Sequence, residues 1–266
     1  MMNARITFGA VALALACNAH AALSVGASNY SYAQNFDTLA ASGNANPWSN
    51  DGTLAGWSLY NGAGAAITAY NAGDGASNAG SLYSFGATGS GERALGGVGS
   101  GGAYFGAPAV GAVAGWIAVS FVNGSGAALA GFTLGYDGEQ WRNGGNTSAQ
   151  TMSFEWGLGD SFDTVAAWNR PGGDFDWTSP VIGATAAAVD GNDAGLVAGR
   201  GGSIATDWAA GQTLWLRWVD LNDPGNDHGL AIDNVAFTVS AVPEPGAWAL
   251  MLAGIACVGY LGRRRG

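Results

Sequence analysis

Lysine is missing from all 266 residues; every one of the nine basic side chains is Arg. That absence excludes Schiff-base catalysis, the phosphate-binding Lys of a P-loop and a Lys-rich nucleic-acid face. Histidine is nearly missing too, with only His20 and His228, so a site built from two or three His within one folded body is excluded. The two cysteines, Cys17 and Cys257, stand at opposite ends of the chain. Charged residues make up only 11%, and 19 Asp and Glu leave a formal net charge of −10. Such a surface repels DNA phosphates, so nucleic acid is not expected as a partner. Apolar and aromatic residues, by contrast, are plentiful: 48% hydrophobic, with 11 Trp, 10 Phe and 8 Tyr. That is enough to build a core and to exclude global disorder. The 46 Gly lack the every-third-residue period of collagen.

The two ends read as addresses. Arg5, an apolar run over residues 6–16 and Ala19-His20-Ala21 have the three parts of a secretory signal. Signal peptidase is expected to cut after Ala21. At the other end Pro243-Glu244-Pro245 precedes an apolar run over 247–262, then Arg263, Arg264 and Arg265. Sixteen helical residues rise about 24 Å, a minimal span for a hydrocarbon layer of about 30 Å. Three Arg beyond it would hold the C-terminus in the cytoplasm. Motif, span and Arg cluster together resemble the PEP-CTERM sorting signal of Gram-negative bacteria with exopolysaccharide systems. The resemblance implies processing near the Pro-Glu-Pro motif by exosortase, a membrane protease. The expected organisation is a signal peptide at 1–21, one body at 22–241 and a sorting segment at 242–266.

Trimming both ends leaves a body without a thiol, in which five Arg face eighteen acids. Its dominant period is two. Residues 116–122 (WIAVSFV), 132–136 (FTLGY), 152–156 (MSFEW), 214–218 (LWLRW) and 235–239 (VAFTV) alternate or run apolar as strands do. Gly, Asn, Asp and Pro clusters at 143–146, 170–173 and 222–226 supply turn chemistry between them. Many short strands without alternating helices predict an all-β fold, an antiparallel β-sandwich of jelly-roll type, flanked by the signal helix and the transmembrane helix. The Gly- and Ala-rich stretch 86–115 is read as strands with small side chains and loops. A literal G-x-G-x-x-G at 97–102 is not followed by a helix start and is expected about once by chance in so Gly-rich a chain.

The strings FDTLAASG from Phe36, SLYSFG from Ser81, GERALG from Gly91, GEQWRNGGN from Gly138 and WVDLNDPGNDHGLAIDN from Trp218 occur in that order. Together they resemble a secreted bacterial module of jelly-roll type, similar in outline to MAM and lectin-like sandwiches. Such sandwiches often hold a structural Ca²⁺ between their first and last strands, which implies Asp37 and Asp233 as a ligand pair. From the residues themselves, 220–233 is the densest run of oxygen ligands, and Asp220, Asp227 and Asp233 are its candidate carboxylates for Ca²⁺. Pro224 and Ala231 stand where an EF-hand needs ligands, so that loop type is excluded. A metal-free turn, with Asp and Asn bonded to their own backbone, is the alternative.

Catalytic patterns are thin. The body has three Glu, at 92, 139 and 155. Glu139 and Glu155 could face each other as a glycosidase pair, but Arg142 near Glu139 suggests an ion pair instead. Ten Trp remain in the body. Trp116, Trp156 and Trp218 fall on apolar strands and read as core. Trp48, Trp57, Trp177 and Trp208 lie near turns and read as a ligand-binding surface for sugars. The expected function is an exported, non-catalytic module at the cell surface or in the matrix, associated with exopolysaccharide. The alternative is a surface polysaccharide hydrolase or lyase using Glu139, Glu155 or Asp227 with His228.

Overall fold

The structure, a computed structural model, describes residues 22–99 and 105–241. The signal and sorting segments lie outside these residues, as do their two expected helices. Among the described residues, no helix is long and apolar enough to cross a membrane. The described residues form fifteen strands in two sheets.

The first sheet contains β1 (Leu23–Val25), β4 (Trp57–Asn61), β8 (Val113–Asn123), β10 (Thr151–Leu158), β11 (Trp177–Thr178) and β14 (Thr213–Leu221). Its order is β1-β8-β14-β10-β11, with β4 also bonded to β8. The second sheet contains β2 (Ser31–Gln34), β3 (Asn46–Pro47), β5 (Ala69–Gly73), β6 (Ser81–Phe85), β7 (Ala94–Val98), β9 (Leu129–Asn143), β12 (Ala187–Ala188), β13 (Leu196–Trp208) and β15 (Gly229–Ala241). Its order is β12-β9-β15-β7-β6-β5-β3, with β13 on β9 and β2 on β15. All five predicted strands are present, extended at one or both ends. Pairing is antiparallel except at two short ladders, β1 with β8 and β5 with β6, which depart from the purely antiparallel expectation.

Period-two alternation decides what faces inward. Ile117, Val119 and Phe121 of β8 and Leu214, Leu216 and Trp218 of β14 meet Leu230, Ile232, Val235 and Phe237 of β15 in one core. Phe121 and Phe237 stack across the two sheets with centroids 3.9 Å apart, and Trp57 lies on Trp218 at 5.8 Å. A second cluster, Tyr83, Phe85, Trp141 and Ala231 among its members, covers the outer face of the nine-stranded sheet. A third covers the outer face of the other sheet, where Phe162, Val165 and Trp168 from the segment after β10 fold down over Tyr60, Trp116 and Trp215.

The four Trp expected on a ligand surface are all in the interior, each no more than 3% exposed. The turns beside Trp48 and Trp208 do not expose the rings but supply acceptors for the N–H, Trp57 finds its acceptor on β2, and Trp177 Nε1 has none. Trp48 Nε1 donates to Asn50 Oδ1, Trp57 Nε1 to the Tyr32 hydroxyl and Trp208 Nε1 to the Gln212 carbonyl. Trp177 lies flat on Gly138, where a Cβ would come within 2.3 Å of the indole, so a side chain at 138 is excluded. Trp218 is core as expected, whereas Trp116 and Trp156 are the partly exposed ones, together with Trp168.

Candidate metal centre

Ala231 and Asp233 of β15 share the outer face of the nine-stranded sheet, opposite the core-facing Leu230 and Ile232. On the neighbouring strand β9, Glu139 is directly across from Ala231 and Asp137 from Asp233. Along the opposite edge of β15, β7 bonds to Gly229 through Ile232 and β2 takes over from Val235. Asp233 therefore stands where one neighbour ends and the other begins. Glu92, two residues before β7, reaches that junction from one side.

The result is a group of three carboxylates, Glu92, Glu139 and Asp233, each offering an oxygen within 4.8 Å of the others. Glu139 is fully buried and Asp233 is 3% exposed. One oxygen of two of the three is tied down: Trp141 Nε1 donates to Glu139 Oε2 at 2.8 Å, and Asn192 Nδ2 to Glu92 Oε2 at 2.7 Å. Glu92 Oε1, Glu139 Oε1 and Asp233 Oδ1 are buried without a hydrogen-bond partner. No ion pair among the described residues reaches them. Arg93, next in sequence, turns away and donates to the carbonyls of Glu92, Ala87 and Ser90.

Burial first, and then the mutual charge, holds protons on these groups. Glu139 is raised to about 7 by burial, with Glu92, Asp137 and Asp190 adding to it against the Trp141 bond. Asp233 is raised to about 8 by burial and by Glu139, Glu92 and Asp37, against a bond from the Asn234 backbone. Glu92 is raised by burial, with Asp37 and Asp190 adding to it against the Asn192 bond and the Arg93 charge. Two like charges about 5 Å apart repel by roughly 3 kcal/mol at an effective dielectric of 20, so ionised carboxylates need a cation here. Oxygen-only, acceptor-only ligands without a nearby His or Cys suit a hard divalent ion such as Ca²⁺.

The expected four-carboxylate site is split by the fold. Asp37 joins the cluster as a neighbour whose charge raises Asp233 and Glu92. Its own oxygens accept from the Arg93 N–H at 3.0 Å and from Asn35 Nδ2 at 2.6 Å. Asp220 and Asp227 are elsewhere. Asp220 follows Trp218 on the inward face of β14, with its carboxylate against Gly97. Its interacting charges are Asp227 and Asp223, and burial leads them in raising it well above the usual carboxylate range. Asp227 Oδ1 accepts the Asp223 N–H at 2.7 Å, closing the turn.

The catalytic alternatives come apart in the same way. Glu155 is on β10 of the other sheet, where Arg217 holds it through Nε at 2.8 Å and through Nη2. Arg142 faces away from Glu139 and donates to the carbonyls of Gly75 and Ala76. His228 accepts the Gly144 N–H on Nδ1 at 3.0 Å and meets the Ser148 carbonyl through Nε2 at 3.2 Å, so it is the neutral tautomer with both nitrogens in use. Glu92 and Glu139 as a pair with Asp233 were not visible in the sequence. The alternation legible over 132–136 stops short of Asp137, Glu139 and Trp141, which β9 carries on one face, and which strand lies beside them is not a local property of the sequence.

One comparison bears on the chain's end. Residues 241–265 match the model of the PEP-CTERM protein-sorting motif. The protein is thus an exported one, sorted to the cell surface. No curated protein and no solved structure matches the chain.

Proposed function

We propose that this PEP-CTERM protein is a non-catalytic module of jelly-roll type, retained at the cell surface or in the matrix beside exopolysaccharide and held together by a structural Ca²⁺. The observation that carries the cation reading is the convergence of two buried carboxylates and one half-buried one, each with an unpartnered oxygen. Glu139 and Asp233 ligate from adjacent strands, and Glu92 ties in the hairpin of β6 and β7. When bound, the ion supplies positive charge and a cross-link, not a reaction. The same geometry speaks against a hydrolase. Two carboxyls of a retaining glycosidase are about 5–5.5 Å apart and those of an inverting one farther, and both must reach a sugar. Glu139 and Asp233 are buried, so neither carboxyl reaches a sugar.

Thermal unfolding of the full-length chain in mild detergent tests this reading. Ca²⁺ at 100 times its Kd adds about 2.7 kcal/mol relative to chelator. For a body of this size that is roughly 5–10 °C in Tm. Identical curves with chelator and with millimolar Ca²⁺ would remove the cation. Glycan contact is assigned to the half-exposed rings of Trp116, on the six-stranded sheet, and Trp168, in the segment that covers it. Affinity electrophoresis against matrix polysaccharide checks it: retardation is expected, and its loss in Trp168→Ala. Equal mobility with and without glycan would end the sugar-binding part.

A further inference from the structure

The sorting motif begins where β15 ends, so any pull on the C-terminal attachment enters the body through that strand. Nothing about sorting requires the last strand to be central, yet β15 is. From Gly229 to Ala241 it is bonded to β9, and along its other edge first to β7 and then to β2. We propose that β15 is the tension-carrying strand of the exported body, placed so that a pull from the C-terminal attachment loads its hydrogen bonds in shear. The inference rests on the surface retention proposed above.

Three features make the placement effective. Antiparallel hydrogen bonds run perpendicular to the strands, so a pull along β15 strains the whole ladder together and not one bond at a time. Slipping by one residue would turn Leu230, Ile232, Val235 and Phe237 out of the core and bring outward-facing residues in. Register is also keyed: the ladder to β9 shifts between Asp233 and Ala236, where Asn234 takes a positive φ of 50°, and a sliding strand would carry that kink into regular sheet. Asp233, beside the kink, is the β15 member of the carboxylate cluster, and Glu139 is its member on β9. A cation there clips the two strands across the ladder that takes the load.

Single-molecule pulling on the full-length chain separates this from ordinary stability. Cys17→Ser and Cys257→Ser clear the native thiols, and one handle is attached to the C-terminus. A second handle at exposed Ser148→Cys pulls β9 from its Asn143 end, opposite to the end of β15 that is pulled, which is shear. A handle at exposed Ala128→Cys pulls both strands from the same end, because Leu129 pairs with Ala241, which is unzipping. The same two strands are broken in both cases, so overall stability cancels. The rupture force is expected to be at least twofold higher in shear. Equal forces overturn the proposal. Chelator is expected to lower the shear force, and Asp233→Asn to remove that sensitivity. A geometry difference that ignores chelator supports the tension-carrying strand and overturns the cation reading instead.

Discussion

Glu139 and Asp233 are the clearest case of single residues set against their surroundings. Each sits where an ionised carboxylate is disfavoured by burial and by its neighbours, and neither has a basic partner among the described residues. Glu139→Gln is therefore expected to raise Tm in chelator, by the equivalent of about 1–3 kcal/mol, the scale of relieving a buried unsatisfied group. It is also expected to abolish the Ca²⁺ response. Calorimetry with and without Ca²⁺ checks both, and a Gln variant that still responds would move the ion away from Glu139. Asp220 poses a different question, because it is inside the sandwich against Gly97 with Oδ2 unpartnered. Its folded pKa is raised above the ordinary 3.8, so the unfolded chain releases a proton that the folded one keeps. Stability from this group is therefore full below about pH 4 and is lost as pH rises from there to the raised folded value. Asp220→Asn should be more stable than the parent at pH 7.5 and no better at pH 3.5, as read from denaturant midpoints at the two pH values. A less stable Asn variant at pH 7.5 would mean that a cation holds Asp220 ionised, as the sequence alone suggested for the 220–233 run.

Elements show why the sequence was readable only in part. The strands over 116–122, 132–136, 152–156, 214–218 and 235–239 were legible because alternation is a local property of the chain. Sheet order is not local: nothing in the residues of β15 says that β9 lies on one side and β7 with β2 on the other. The carboxylate cluster depends on that order, so Asp37 and Asp233 could be named from a resemblance while Glu92 and Glu139 could not be attached to them. The Trp assignments failed for a related reason. Nearness to a turn does not decide exposure: Trp48, Trp57, Trp177 and Trp208 all join the main core, while the segment after β10 folds back over the outer face of the six-stranded sheet. In that segment Trp168 lies 3.6 Å from the guanidinium carbon of Arg217, and Trp116 and Phe162 flank it. Cation–π contacts of this kind contribute about 0.5–2 kcal/mol. The bonds to Glu155 add about 1.5–3 kcal/mol for a charged pair that is mostly buried. Arg217→Met should release the segment locally, so that chymotryptic cleavage after Trp168 becomes at least tenfold faster while strand content by circular dichroism holds. Unchanged cleavage would mean that Phe162, stacked on Tyr60 at 4.0 Å, pins the segment by itself.

For the whole molecule, the order of strands along the chain sets the order in which the body can close. The first strand, β1, touches the core through Val25 and the half-buried Leu23, at one edge of the smaller sheet. The last, β15, bridges two halves of the larger one: β9 with β12 and β13 on one side, β7 with β6, β5 and β3 on the other. Without it, those halves have no shared ladder, and the core loses Leu230, Ile232, Val235 and Phe237. Burying one such side chain contributes about 1.5–3 kcal/mol, so four contribute roughly 6–12 kcal/mol. A domain's entire net stability is about 5–15 kcal/mol. Deleting residues 22–26 removes one buried core side chain and one half-buried one and should leave a cooperative melt, lowered by about the worth of Val25 and Leu23. Ending the chain at His228 removes four and splits the sheet, and should leave no cooperative transition at all. The order also implies that folding waits for the C-terminal strand, because long-range pairing cannot be completed while β15 is still absent. A sigmoidal melt from the chain ending at His228 would show that the sandwich closes without its last strand, and that β15 is added to a body already formed.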